Sequence, residues 1–248
     1  MKNINFLYFI LSLFLIGIGG CDFLGSYERG NGNVINTSRE LPTFNKISIG
    51  GNFEVILEKS SEEAILISTD ENLEPLIKTV VNDHILSISA NKKLISANKT
   101  TITIHYRMIE EIDISGATLL KNEDLLETTK LKLDLAGAGV IDLKIKTNNL
   151  EAELGGAGLV KLNGYAPECR ISLSGAGGLE AYGLETDNCT IDVSGIGGAK
   201  INVKNKLSAN IEGVGGIQYI GHPATVEKNV SGIGTIKQDD DEHDDPDI

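Results

Sequence analysis

The chain has 248 residues and a formal net charge of −13, with 28 glycines, no tryptophan, and only six tyrosines and six phenylalanines. An acidic chain with no basic stripe offers nothing for a phosphate backbone to bind, so nucleic acid is excluded as a partner. The few aromatic rings leave little to stack on sugars, which weighs against a sugar-processing groove.

Residues 1–20 read as an export signal. Lys2 precedes an apolar run from Ile4 to Ile18 that closes on Gly19, Gly20 and Cys21, and the run is too short and wrongly flanked for a retained span. Small residues directly before a cysteine resemble the bacterial lipoprotein signal, in which Cys21 is acylated and becomes the new N-terminus. The alternative is an ordinary secretory signal in which Cys21 is incidental. Acylation would tether the chain to a lipid bilayer, at roughly 0.8 kcal/mol per buried methylene.

Residues 21–43, with Gly25, Gly30 and Gly32, read as a lipid-anchored flexible stalk. Residues 44–237 form one folded domain, large enough for a substantial core. From Ile47 to Leu57 apolar residues alternate with polar ones around Gly50 and Gly51, the period of a strand. Further strands are expected at 65–69, 85–89 and 102–106. Between them Leu73, Leu76, Ile77 and Val80 have helical spacing, with Pro75 tolerable in a first turn, so one short inserted helix is expected over 71–81. The stretch from Gly51 to Gly116 has room for about three irregular coils, at ~20 residues per repeat.

From there the chain repeats. A corner glycine recurs at Gly116, Gly137, Gly156, Gly175, Gly195, Gly213 and Gly232, at intervals of 21, 19, 19, 20, 18 and 19 residues. Such a period marks a solenoid, in which each unit buries its apolar face only against its neighbours. Aligned on that glycine, the residues two before it are Ile114, Leu135, Leu154, Leu173, Val193, Ile211 and Val230, and the even offsets are apolar throughout the early repeats. Odd offsets are mostly polar and should face water. Five places after the glycine, Lys121, Asp142, Lys161, Glu180, Lys200, Gln218 and Lys237 nearly alternate in sign. Five places before it the series starts Glu111, Lys132, Glu151, Arg170. Rungs stacked ~4.8 Å apart would make these opposite charges direct neighbours. A second glycine two places on, from Gly139 to Gly234, completes a Gly-X-Gly corner, expected from positive φ or from an interior too narrow for a β-carbon. Each corner leads to another strand, not to a helix, which rules against a phosphate loop.

Candidate chemistry is sparse. Cys169 and Cys189 share one inward offset in adjacent repeats and stay open between buried thiols and a disulfide. Asp113, Asp134, Glu153 and Asp192 lie in one outward column, a possible binding face that could hold calcium or meet a cationic surface; ordinary solvation of an acidic face is the alternative. Stacked acids also admit the two-carboxylate chemistry of polysaccharide cleavage, though no His or Arg singles out a pair. His84, His105, His222 and His243 form no ligand set, so no metal and no cofactor is expected. Ser174 and Ser194 only echo a nucleophile elbow. Ala117, Ala138, Ala157, Ala176, Ile196, Val214 and Ile233 stand between the paired glycines, and the corner is expected to flip them inward; an exposed stripe is the alternative. Residues 238–248 carry seven acidic side chains in the last ten positions and are expected to be a disordered tail.

The Gly30-Asn31-Gly32 opening, Arg39 and Leu41 ahead of Phe44, the segment Ile47-Ser48-Ile49-Gly50-Gly51 and the serial Ser-Gly-Ala/Ile-Gly corners resemble a known family. It is the putative auto-transporter adhesin, head GIN domain family of Bacteroidetes lipoproteins, and the likeness spans about 30–236. It implies an all-β, right-handed, parallel β-helix-like solenoid, an exported location and no catalytic residues to carry over. The leading expectation is a non-enzymatic lipoprotein of the cell envelope, at the outer membrane, contacting a glycan or protein ligand through its faces as a monomer or weak oligomer. A polysaccharide-cleaving β-helix enzyme and a self-assembling scaffold are the alternatives.

Overall fold

The structure, a computed structural model, describes residues 27–96 and 98–239. The expected signal peptide, Cys21 and the acidic residues from 240 onward lie outside the described residues. The strands are β1 (Tyr27–Arg29), β2 (Val34–Glu40), β3 (Lys46–Gly50), β4 (Asn52–Lys59), β5 (Ala64–Asp70), β6 (Ile77–Asn82), β7 (Ile85–Ala90), β8 (Lys93–Ile95), β9 (Thr101–Tyr106) and β10 (Glu111–Ile114). They continue with β11 (Ala117–Asn122), β12 (Leu126–Leu135), β13 (Ala138–Leu154), β14 (Ala157–Tyr165), β15 (Glu168–Leu173), β16 (Ala176–Val193), β17 (Ile196–Ile211), β18 (Val214–Ile220), β19 (Thr225–Val230) and β20 (Ile233–Gln238).

The chain is a β-solenoid of about seven turns. Before each corner glycine, β3, β10, β12, β13, β15, β16, β17 and β19 pair in parallel; after it, β4, β11, β13, β14, β16, β17, β18 and β20 do the same. Like offsets superpose: Leu154 pairs with Leu173 and Leu173 with Val193, all three buried. Ile114, Leu135 and Ile211 continue that column, and Leu120, Ile141, Val160, Leu179, Ala199 and Ile217 line the facing wall. Each fully buried Leu or Ile contributes about 1.5–3 kcal/mol of transfer free energy, so every rung supports the next mainly through these columns. Both charged columns stack in register as well. Along the backbone Glu111 stands opposite Lys132, Lys132 opposite Glu151, and Glu151 opposite Arg170. The ladder extends back to Lys46, whose hydrogen bond to Glu111 at 2.8 Å holds its ammonium above the usual lysine range.

The corner glycines are explained by close approach along the solenoid axis. A β-carbon on Gly156 would sit 1.9 Å from the carbonyl oxygen of Gly137, and one on Gly215 would sit 1.7 Å from that of Gly197. None of the seven first glycines has positive φ, so the stacking distance is what excludes a side chain. Because both glycines aim their missing side chains at the rung below, the residue between them points outward. The expectation that the corner turns this column inward is therefore corrected: Ile196 is 67% exposed and Ile233 is 74% exposed.

The N-terminal end departs from the expected coils. The Gly116 rung stacks directly on the Gly51 rung, with Ala117 opposite Asn52. Among the described residues one further parallel layer of the main sheet follows, β7 on β3 and β9 on β4, and β1 pairs in parallel with β8 in a separate two-stranded sheet. Antiparallel strands then close the end: β6 on β7, β5 on β9, and β2 on β5. The expected helix is also corrected. Glu74–Leu76 forms a single 3-10 turn, and β6 takes the rest in an antiparallel hairpin with β7. The β-branched run Ile77, Thr79, Val80, Val81 favours a strand, and Val80, which the helical spacing placed on the apolar face, is 47% exposed.

Residues 27–40, read from composition as stalk, are built into this cap. Gly32 has φ +83° and donates its N–H to the buried Asp70 carboxylate at 2.7 Å, while a β-carbon on Gly30 would lie 2.0 Å from Asp70 Oδ2. Glycine there seats a buried acid; it does not loosen a linker. Arg39 on β2 crosses to β6, donating to Ile77 O at 3.0 Å and Thr79 Oγ1 at 2.9 Å and pairing with Glu74. At the opposite end β19 is exposed along its length, and among the described residues no further rung follows it. The inward positions Lys228 and Val230 therefore meet solvent, and the Lys228 ammonium lies 4.9 Å from the centre of the Tyr219 ring, a cation–π cap.

Candidate binding faces

The strands before the corner present a polar face built from the residues seven, five and three places ahead of the glycine. Across its middle rungs runs a trough of about 420 Å³ whose polar walls include Lys130, Asn149, Glu151, Glu168, Arg170 and Asn188. Lys130 pairs with Glu151 at 3.3 Å, and Asn188 Nδ2 donates to Glu168 Oε1 at 2.7 Å. Among the described residues Arg170 has no hydrogen-bond or ion-pair partner, so its guanidinium is available to an incoming anion. Sequence reasoning passed over the column seven before the glycine, although the same alignment that exposed the other columns contains it.

The acidic column is placed as a row, not a cluster. Asp113 pairs with Asp134 and Asp134 with Glu153, but Ser172 separates Glu153 from Asp192. Ser48 donates to Asp113 at 3.4 Å, and Lys132 lies 3.9 Å from Glu153. Among the described residues no three His, Cys, Asp or Glu side chains gather closely enough to hold a metal ion.

The strands after the corner present a different surface. There the exposed Ile196, Val214 and Ile233 run along one edge, with Leu119, Val140 and Leu159 two positions further into the face. A stripe of large exposed apolar side chains on one face is a candidate contact surface.

A family model described as putative auto-transporter adhesin, head GIN domain, matches residues 43–223. The chain belongs to this family. No curated protein matches it. Among solved structures this GIN-domain chain is similar to a putative adhesin of Bacteroides fragilis, with TM-score 0.81 and 27% identity over 86% of this chain and 100% of that one. It is also similar to a putative adhesin of Parabacteroides merdae, with TM-score 0.59 and 25% identity over 86% of this chain and 99% of that one. A putative lipid binding protein of Parabacteroides distasonis shares the fold at TM-score 0.66 and 18% identity, over 87% of this chain and 100% of that one. Among the described residues of the GIN-domain chain no helix is long and apolar enough to cross a membrane.

Under the polar trough of the GIN domain lie the two cysteines. Cys169 and Cys189 face each other in register on β15 and β16, buried, with both thiols free. Their mutual hydrogen bond first, and burial second, push the Cys169 thiol well above its usual range, so this sulfur is not poised as a nucleophile.

Proposed function

We propose that this chain is a non-enzymatic, lipid-anchored envelope protein that uses its polar face to bind a glycan bearing carboxylate groups. The reading is supported by one observation above the others: an Arg170 without a partner among the described residues, lining the polar trough together with Asn149 and Asn188. A guanidinium takes a carboxylate in bidentate fashion, and amides at neighbouring rungs match hydroxyls along an extended polymer. The family's adhesin description and the expected export signal with Cys21 support binding outside the cytoplasm.

Binding of the purified chain to immobilised glycans tests it. Uronate-bearing glycans should be retained, with affinity falling about tenfold in Arg170→Lys and more than that in Arg170→Glu, since each tenfold is about 1.4 kcal/mol. Binding indifferent to Arg170→Glu would overturn the reading. So would turnover of an acidic polysaccharide that is lost in Asp134→Asn or Glu153→Gln.

A further inference from the structure

On the face that follows the corner, two columns carry opposite size gradients. One place after the glycine stand Ala117, Ala138, Ala157 and Ala176, then Ile196, Val214 and Ile233. Three places after it stand Leu119, Val140 and Leu159, then Gly178, Gly198 and Gly216. Both columns run in register from rung to rung. The N-terminal half of the face therefore bears a ridge, and the C-terminal half a trough of about 560 Å³ floored by the three glycines.

We propose that this face joins two copies of the chain, face to face, about a two-fold axis that runs parallel to the strands between the Gly156 and Gly175 rungs. Such an axis brings each column against itself with the rung order reversed. Leu159 then meets Gly178 of the second copy, Val140 meets Gly198, and Leu119 meets Gly216. In the neighbouring column Ala138 meets Ile196 and Ala117 meets Val214. The ridge of each copy fills the trough of the other.

The charged column five places after the glycine obeys the same operation. Lys161 meets Glu180, Asp142 meets Lys200, and Lys121 meets the neutral Gln218. Alternating charges alone would also accept an axis one rung away, but sizes would not. A shift toward the N-terminus sets Val140 against Leu159, and a shift toward the C-terminus sets Gly178 against Gly198 and leaves a void. Size and charge agree on one axis.

Five residues at ~3.3 Å by six rungs at ~4.8 Å give a face of about 500 Å² per copy. That is near the low end of specific interfaces, so the dimer is concentration-dependent, with a dissociation constant on the order of micromolar. A bilayer is the weaker occupant, because a column of alternating carboxylates and ammoniums borders the apolar stripe.

Sedimentation equilibrium of the full chain in density-matched detergent tests this. Wild type should dimerise, and Lys161→Glu and Glu180→Lys should each weaken the dimer more than tenfold by setting like charges opposite one another. An equimolar mixture of the two variants should dimerise again, since both contacts of the mixed pair then set a carboxylate against an ammonium; this rescue separates the interface from any loss of folding. Gly198→Leu should weaken the dimer by filling the trough. A wild type that is monomeric at about 100 μM, single variants that dimerise like wild type, or a mixture that stays monomeric would overturn the proposal. Attachment of the same face to phosphatidylcholine vesicles without self-association would overturn it too.

Discussion

At the scale of single residues the fold depends on where a β-carbon fits. Gly156 has backbone 1.9 Å from the place its β-carbon would take, whereas at Gly178 the nearest neighbour is the mobile end of Leu159 at 3.4 Å. Gly156→Ala should therefore cost at least about 3 kcal/mol, lowering Tm by roughly 6–12 °C in a domain of this size, while Gly178→Ala should stay within about 0.5 kcal/mol. Thermal melts of the two variants make the comparison. Tyr106 gives a second test, because its hydroxyl is buried without a partner among the described residues. Tyr106→Phe should raise stability by about 1 kcal/mol at neutral pH by removing an unsatisfied group. Burial first, and the nearby Asp124 carboxylate second, push the Tyr106 hydroxyl up to about 12. The raised value means the folded state keeps the proton longer than the unfolded chain, whose tyrosine titrates near ~10. That contribution is complete below pH ~10 and is lost between there and about 12, so denaturant unfolding of wild type should weaken across this window more steeply than that of Tyr106→Phe.

At the scale of elements the two ends differ in how they stop the stack. The N-terminal end turns to antiparallel strands and ties β2 to β6 through Arg39. Arg39→Ala leaves partly buried acceptors on Ile77, Thr79 and Glu74 unpaired, and should cost about 2 kcal/mol. Arg39→Lys cannot reach all three and should recover less than half; urea unfolding midpoints read both. The adjacent β15 and β16 protect their sulfurs. Cys169 and Cys189 should resist iodoacetamide at pH 8 in the folded chain and react once it is unfolded in urea, as mass spectrometry would show. These ends were also the least legible part of the sequence. Leu73, Leu76, Ile77 and Val80 mimic a helix because a 3-10 turn runs straight into an edge strand, and local spacing carries no trace of the β7 partner that decides between them. Gly30 and Gly32 read as linker because their reason, Asp70, lies some 40 residues away in sequence and meets them only in the fold.

At the scale of the molecule the repeats were legible because stacking converts sequence period into spatial neighbourhood. The apolar column of Leu154, Leu173 and Val193 and the ladder from Glu111 to Arg170 both appear in one alignment of the corners, and both are realised as adjacent rungs. The faces were less legible. The polar trough depends on which long side chains pair with one another and which, like Arg170, do not. The column of Leu119, Val140 and Leu159 gains meaning only beside Gly178, Gly198 and Gly216, three rungs further on. The outward turn of Ile196 and Ile233 required the rung-to-rung approach of the corner glycines, which period alone does not reveal.

The stacking itself is open to direct measurement by pulsed electron-electron double resonance between nitroxides on the outward column three before the corner. One label stays at Asn210→Cys, and the second moves from Asp134→Cys to Asp113→Cys to Ser48→Cys. Rungs ~4.8 Å apart predict backbone separations of about 19, 24 and 29 Å, an even step although the last move spans far more sequence than the one before. Separations that fail to rise by equal steps, or a Ser48 label as remote as its sequence distance suggests, would contradict the account.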